Sequence, residues 1–214
     1  MDLLINNKSR KLIAIYVLSV CSLFTLSSIV AIAAGEHPAQ KLVVDSTTEL
    51  LAVMKKESER IKEDPAFLQE QIERYVVPHV DFETMTKRAV GKAWRQATND
   101  QRIELKTEFK ALLLNIYTSA LTSYGGETIE FKPFKPERRE DRAIVRSSFK
   151  RSGDSGTVPV LYKLREENGS WLIWDIQVDQ VSLGISSQSA FSNEIEKGGI
   201  EGLLKTMKDK NAES

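Results

Sequence analysis

The residues able to do chemistry in this chain are few, and their spacing excludes most of it. The two histidines, His37 and His79, lie far apart and in no ligand pattern such as His-x-x-x-His, and the one cysteine, Cys21, stands in the N-terminal apolar run. A metal centre needs several such ligands at close spacing, so no metal site is expected. There is no Gly-x-Ser-x-Gly elbow and no glycine-rich phosphate loop. A serine triad would have to take His79 as its base, and a histidine directly after Pro78 reads as a helix-end residue. The paired carboxylates Glu166 and Glu167 fall in a turn sequence. No catalytic residue is therefore expected. What remains are two basic groupings, Lys87, Arg88, Lys92 and Arg95, and Arg138, Arg139, Arg142 and Arg146. Either could meet a phosphate or be a solvated face neutralised by Glu137, Glu140 and Asp141. Arg95 is the preferred anion contact, because Trp94 beside it offers an aromatic face to a guanidinium.

The segment ahead of these residues reads as an address. Lys8, Arg10 and Lys11 precede a charge-free stretch from Leu12 to Ala34 that ends in small residues, with Ala31 and Ala33 in the pattern signal peptidase requires. Residues 1–34 are predicted to be a cleaved secretory signal. The alternatives are an uncleaved anchor, or lipidation at Cys21 after Leu18-Ser19-Val20, where Val20 departs from the small residue usual there. Cleavage near Ala33 or Ala34 leaves a chain without a thiol. Residues 1–34 carry Lys8, Arg10 and Lys11 against Asp2, so the remainder holds 27 basic and 29 acidic groups. A near-neutral domain lacks the electrostatic footprint of a nucleic-acid partner.

Hydrophobic period then divides the remainder in two. Gly35 to Lys41 reads as a linker, and Ser46-x-x-Glu49 offers a capping box for a helix through Leu50, Leu51, Met54 and Ile61. Asp64-Pro65 restarts a helix that Pro78 ends, and Asp81 caps a third that stops at Gly91. Thr98-x-x-Gln101 opens the longest, with Leu105, Phe109, Leu112, Leu113, Ile116, Tyr117 and Leu121 at spacings of three and four up to Gly125-Gly126. Its apolar face is wider than one neighbour needs, which predicts the wall of an enclosed space. From Thr128 the period is two. Strands are predicted over Thr128 to Phe134, Ala143 to Phe149, Val158 to Leu164 and Trp171 to Val178, divided by the turn sequences Ser152 to Gly156 and Glu166 to Gly169. In the last strand Leu172, Trp174, Ile176 and Val178 should form one apolar face toward the helices. Phe191, Ile195, Ile200, Leu203, Leu204 and Met207 predict C-terminal helices broken at Gly198-Gly199, with a frayed tail from Lys208.

Six pieces in this order resemble the MlaC family: Val77-Pro78-His79-Val80-Asp81-Phe82; Gly91-x-x-Trp94-Arg95-x-Ala97-Thr98; Gln101 with Phe109 and Leu113; Tyr162; Trp171-x-x-Trp174-Asp175; and Val181-Ser182-Leu183. The resemblance implies a domain over residues 42–209. It implies a periplasmic protein that binds phospholipid by its acyl chains and carries it between an outer-membrane lipoprotein-porin complex and an inner-membrane ABC transporter with MCE domains, maintaining outer-membrane lipid asymmetry. No cofactor is implied beyond the bound phospholipid as ligand. The expected fold is α+β, with helices on one face of a twisted antiparallel sheet of four or more strands and a hydrophobic lipid pocket between the layers. The facing apolar surfaces then name Phe82, Phe109, Leu112, Leu113, Ile116, Tyr117, Tyr162, Trp174, Ile176 and Val178 as pocket residues, and Arg95 as the headgroup candidate. Without the resemblance, the same apolar faces could be a filled core, and a periplasmic adaptor or structural protein holding no lipid is the alternative. The chain departs from the family pattern at Asp179-Gln180, where Glu-Gly is usual, and at Ser186-Ser187-Gln188, where Asn-Tyr-Arg is common.

Overall fold

The computed structural model describes residues 36–122, 128–150 and 156–213, so the segment read as a signal and the turn at 152–155 lie outside the described residues. Helix α1, Pro38–Lys56, starts earlier than predicted. His37 caps it by accepting the Ala39 N–H at Nδ1 (3.2 Å), and Pro38 occupies the first turn, where its missing N–H costs nothing. Ser46 is consequently not a cap. It is buried in mid-helix, and its hydroxyl donates to the Leu42 carbonyl at 2.8 Å.

Two helices follow, α2 (Ser58–Glu63) and α3 (Pro65–Tyr75), then the short 3-10 turn Val77–His79 forced by Pro78. Asp81 caps α4, Phe82–Val90, by accepting the Thr84 N–H at 2.9 Å, and Gly91 closes it at φ 64°. A 3-10 turn, Gly91–Arg95, leads to α5, Asn99–Thr122, where the predicted capping box is formed in both directions: Thr98 N–H to Gln101 Oε1 and Gln101 N–H to Thr98 Oγ1.

The sheet is a five-stranded antiparallel meander in sequence order: β1 (Thr128–Phe131), β2 (Arg142–Lys150), β3 (Thr157–Glu167), β4 (Ser170–Val178) and β5 (Val181–Ser182). Two-residue turns join its last strands. Asn168 and Gly169 take φ of 52° and 78°, the twist a tight hairpin requires. Asp179 and Gln180 do the same at 48° and 68°, so the residue that replaces the usual glycine sits where a side chain is strained. Helices α6 (Leu183–Ser186) and α7 (Gln188–Ala212) complete the chain. Gly199, at φ 66°, kinks α7 where the sequence indicated a break. The tail is helical to Ala212 and not frayed from Lys208, because the Asn211 amide donates to the Glu108 carboxylate and carbonyl on α5.

One prediction about β4 fails for a specific reason. The β3–β4 pairing slips register between Lys163 and Leu164 of β3, so that Leu164 faces Ile173 while Lys163 faces Asp175 and Trp174 is passed over. This bulge leaves Trp174 beside Asp175 on the Lys163 side, with the Lys163 ammonium 5.6 Å from the Trp174 ring centroid. The inward face of β4 is therefore Trp171, Ile173, Ile176 and Val178, and Leu172 and Trp174 are not part of it.

Three apolar clusters hold the layers. The first joins α4, the Gly91–Arg95 turn, α5 and α7 around Phe109, Leu105 and Leu204, with Phe109 and Phe191 edge to face at 5.4 Å. The second seats Ala39 and Val43 of α1 on Ala143, Val145, Leu164, Trp171 and Ile173 of the sheet. The third packs the far end of α1 on α2, α3 and Leu114. Helix α5 packs on α3, α4 and α7, which accounts for the width of its apolar face.

Candidate functional site

Alternation along the strands places one continuous set of side chains on the inward face of the sheet, and α1 covers only part of it. Register puts Ala143 opposite Leu164, Val145 opposite Tyr162, Ser147 opposite Val160 and Phe149 opposite Val158; on the other side Leu164 meets Ile173, Tyr162 meets Ile176 and Val160 meets Val178. The end carrying Ala143, Val145, Leu164, Trp171 and Ile173 is closed. Toward the other end, Tyr162, Ile176, Phe149, Val158, Val160 and Ile129 are half-buried, and Val178 is 37% exposed. Val181 pairs with Val178 across the final hairpin and is 56% exposed. The inward face thus grades from solid core into an apolar strip open at its edge. An exposed apolar strip of this kind is a candidate binding surface.

The ten residues expected to line a pocket are divided by the structure. Tyr162, Ile176 and Val178 share the strip. Burial pushes the Tyr162 phenol above its ordinary range, opposed by the neighbouring hydroxyls of Ser147 and Thr47. Phe109, Leu112 and Leu113 are buried in the helical cluster, with Phe82 and Tyr117 packed at its margin; burial raises the Tyr117 phenol as well. Ile116 is 51% exposed on α5. Trp174 lies across the sheet from Tyr162, beneath the Arg88 guanidinium at 4.8 Å. Residues that the sequence reading left out, Ile129, Phe149, Val158 and Val160, belong to the strip, and their alternation was the signal that could have found them.

The reason for choosing Arg95, a guanidinium held against Trp94, is not met. The guanidinium over Trp94 is that of Arg102, 5.7 Å from the ring centroid. Arg102 also donates to the Trp94 and Arg95 carbonyls, while the Arg95 side chain is exposed. Spacing along the chain favoured the neighbour, whereas the first turn of α5 delivers Arg102 from below.

The side of the sheet opposite the strip is polar and locked. Asp175 is buried, accepts from Ser182 Oγ at 2.6 Å and pairs with Lys163 Nζ at 3.3 Å; Ser182 Oγ in turn accepts the Ile185 N–H and so caps α6. Asp81 pairs with Arg165 at 2.8 Å, and its backbone N–H donates to the Ile173 carbonyl. These contacts tie α4 and α6 to β3 and β4 through charge, and a buried carboxylate stripped of its partners costs about 3–5 kcal/mol. Among the described residues, no three His, Cys, Asp or Glu are grouped to hold a metal ion, and no helix is long and apolar enough to cross a membrane.

Comparison with known proteins adds the following. The profile of the family described as MlaC protein matches residues 45–209. Toluene tolerance protein ttg2D of Pseudomonas putida is 29% identical over 160 residues, covering 74% of this chain and 73% of that protein. The intermembrane phospholipid transport system binding protein MlaC of Haemophilus influenzae is 22% identical over 177 residues, covering 82% and 83%. The solved structure of a phospholipid-binding protein from Ralstonia solanacearum, in complex with a phospholipid, superposes with a TM-score of 0.75 at 27% identity, over 83% of this chain and 98% of that one.

Proposed function

The chain belongs to the MlaC family, and from that premise we propose that it is a phospholipid-binding carrier of an intermembrane lipid transport system. It works in the periplasm after removal of residues 1–34, and it exchanges lipid with an inner-membrane MCE-domain ABC transporter and an outer-membrane lipoprotein-porin complex. The observation that carries this reading is the half-covered inward face of the sheet, apolar apart from Ser147 and the Tyr162 hydroxyl and open toward Val178 and Val181. Acyl chains laid on that strip leave water, and about thirty methylenes at about 0.8 kcal/mol each are worth about 24 kcal/mol against water. Against a bilayer the exchange is nearly neutral. Such a protein passes lipid only to partners that keep the chains dry, and it needs no covalent step.

The domain of residues 42–209 acts without catalysis in this reading. The headgroup stays near water, where phosphate keeps its hydration, and a surface cation such as Arg95 adds only a screened contact. Mass spectrometry of an organic extract of the purified protein is expected to yield intact phospholipid of mixed headgroups. Absence of lipid would favour a filled adaptor, and lysolipid or fatty acid accumulating with incubation would overturn the carrier in favour of a hydrolase.

A further inference from the structure

The inward face of the sheet turns polar at one place, where the closed end gives way to the open strip. Ser147 of β2 lies opposite Val160, one row in from the outermost inward pair, Phe149 and Val158. Tyr162 of β3, between Val145 and Ile176, stands in the row behind it. At about 3.4 Å per residue the two rows lie roughly 7 and 14 Å in from Phe149. Helix α1 reaches the same spot. Ala39, Val43 and Thr47 recur at intervals of four and so stack on one helix face, and the Tyr162 phenol has the hydroxyls of both Thr47 and Ser147 beside it. Three hydroxyls, from α1, β2 and β3, thus converge within an otherwise hydrocarbon surface.

Ser147 is the unsatisfied member. It is 3% exposed, and no hydrogen bond of ordinary geometry ends on its buried Oγ among the described residues, although the Tyr162 phenol is close. A hydroxyl buried in this way is unfavourable, and alanine would fill the position without that cost. The lining also says what kind of group would complete it. Val145, Val160, Ile176 and Val178 share these rows, and none carries a charge. A phosphate or ammonium brought here would lose its hydration and gain no counter-charge. An uncharged acceptor fits. Burial keeps the proton on the Tyr162 phenol, so the phenol can donate to Ser147 Oγ and leave the Ser147 proton for a ligand.

A diacyl lipid in the strip carries one such acceptor on each chain, the ester carbonyl. We propose that Ser147, oriented by Tyr162 and Thr47, donates a hydrogen bond to an acyl ester carbonyl, so that the protein selects ester-linked over ether-linked lipids. This rests on the carrier reading and adds to it a site that reads the linkage, independently of the headgroup.

The test is competitive loading. Lipid-free protein is incubated with vesicles holding equal amounts of dioleoyl phosphatidylcholine and its dioleyl ether analogue, which share headgroup and chains, then repurified and extracted for mass spectrometry. The wild type is expected to take up the ester about fivefold over the ether, the size of one neutral hydrogen bond. The ratio should fall to about one in Ser147→Ala and in Tyr162→Phe. With the carbonyl carbons isotopically labelled, the infrared stretch of the bound ester should show a lower-frequency, hydrogen-bonded component that Ser147→Ala removes, a change that a merely structural role would not produce. Both variants should fold, because one deletes a hydroxyl without a hydrogen bond and the other keeps the aromatic ring. The urea midpoint of lipid-free Ser147→Ala should be unchanged or higher; a lower one would show that the hydroxyl already has a structural partner and would overturn the assignment. Equal uptake of both lipids by the wild type, or a preference that survives Ser147→Ala, would overturn it while leaving the carrier reading intact. Uptake of neither lipid would sink the carrier reading, and this inference with it.

Discussion

The two ends of the sheet's inward face are built from the same kinds of residue and do different things. At one end Val145, Leu164 and Ile173 are sealed by Ala39 and Val43 of α1; at the other Val160, Ile176 and Val178 have the same chemistry and no such lid. Apolar side chains thus mark either a core or a binding surface, and the difference lies in what packs against them. A substitution at the closed end or in the helical cluster removes native contacts, whereas one at the open end changes mainly what the protein can hold.

The sharpest way to break this contrast is to compare Phe109→Ala with Val160→Asp. Phe109 is 0% exposed, and its truncation should cost about 3–5 kcal/mol in urea unfolding while the folded fraction keeps its lipid. Val160→Asp should cost about 1 kcal/mol or less and empty the protein of lipid on extraction, since a carboxylate in the strip would be buried under acyl chains. The reverse pattern would show that the helical cluster, and not the strip, holds the ligand.

A smaller effect belongs to the tip of the open end. Gln180 sits at φ 68°, and Gln180→Gly should raise stability by about 1 kcal/mol by relieving that strain, read as a higher urea midpoint. An unchanged or lower midpoint would mean that the Gln180 side chain offsets its own backbone cost.

The smallest expected effect tunes the closed end. His37 stacks on Phe134 at 4.1 Å, meets Trp171 edge-on at 5.2 Å, and caps α1 through an unprotonated Nδ1. Burial holds its imidazole below the ordinary value, partly offset by Glu166. Because the folded value is the lower one, its contribution is fully present above about pH 6.5 and is lost as pH falls through the folded value. The urea midpoint should therefore decline more steeply below about pH 6.5 in the wild type than in His37→Asn, which can still cap the helix without titrating. Parallel pH profiles would remove His37 from the account.

Much of this molecule was legible before folding was considered. Periodicity located α5 and four of the five strands, and the Thr98 and Asp81 caps were readable as short motifs because capping is a local bond between near neighbours. Two of the failures have one cause. The bulge at Trp174 and the delivery of Arg102 to Trp94 depend on what lies across the fold, and a strict alternation or an adjacent pair of letters carries no record of it. The open strip was only partly visible for the same reason: Val160 and Val178 look identical to core residues until the position of α1 is known. Ser46 misled in the opposite way, as a cap sequence with an earlier cap, His37, already in place.

The short margins of the sheet carry a consequence for the protein's colloidal behaviour. A carrier with exposed valines beside an open sheet would be expected to stick to copies of itself, strand on strand. Here the strands that border the open end, β5 with two residues and β1 with four, are each too short to template another chain. The same brevity leaves the apolar strip accessible from the side, and the protein can keep a greasy surface in contact with water without that surface becoming a seed for fibres.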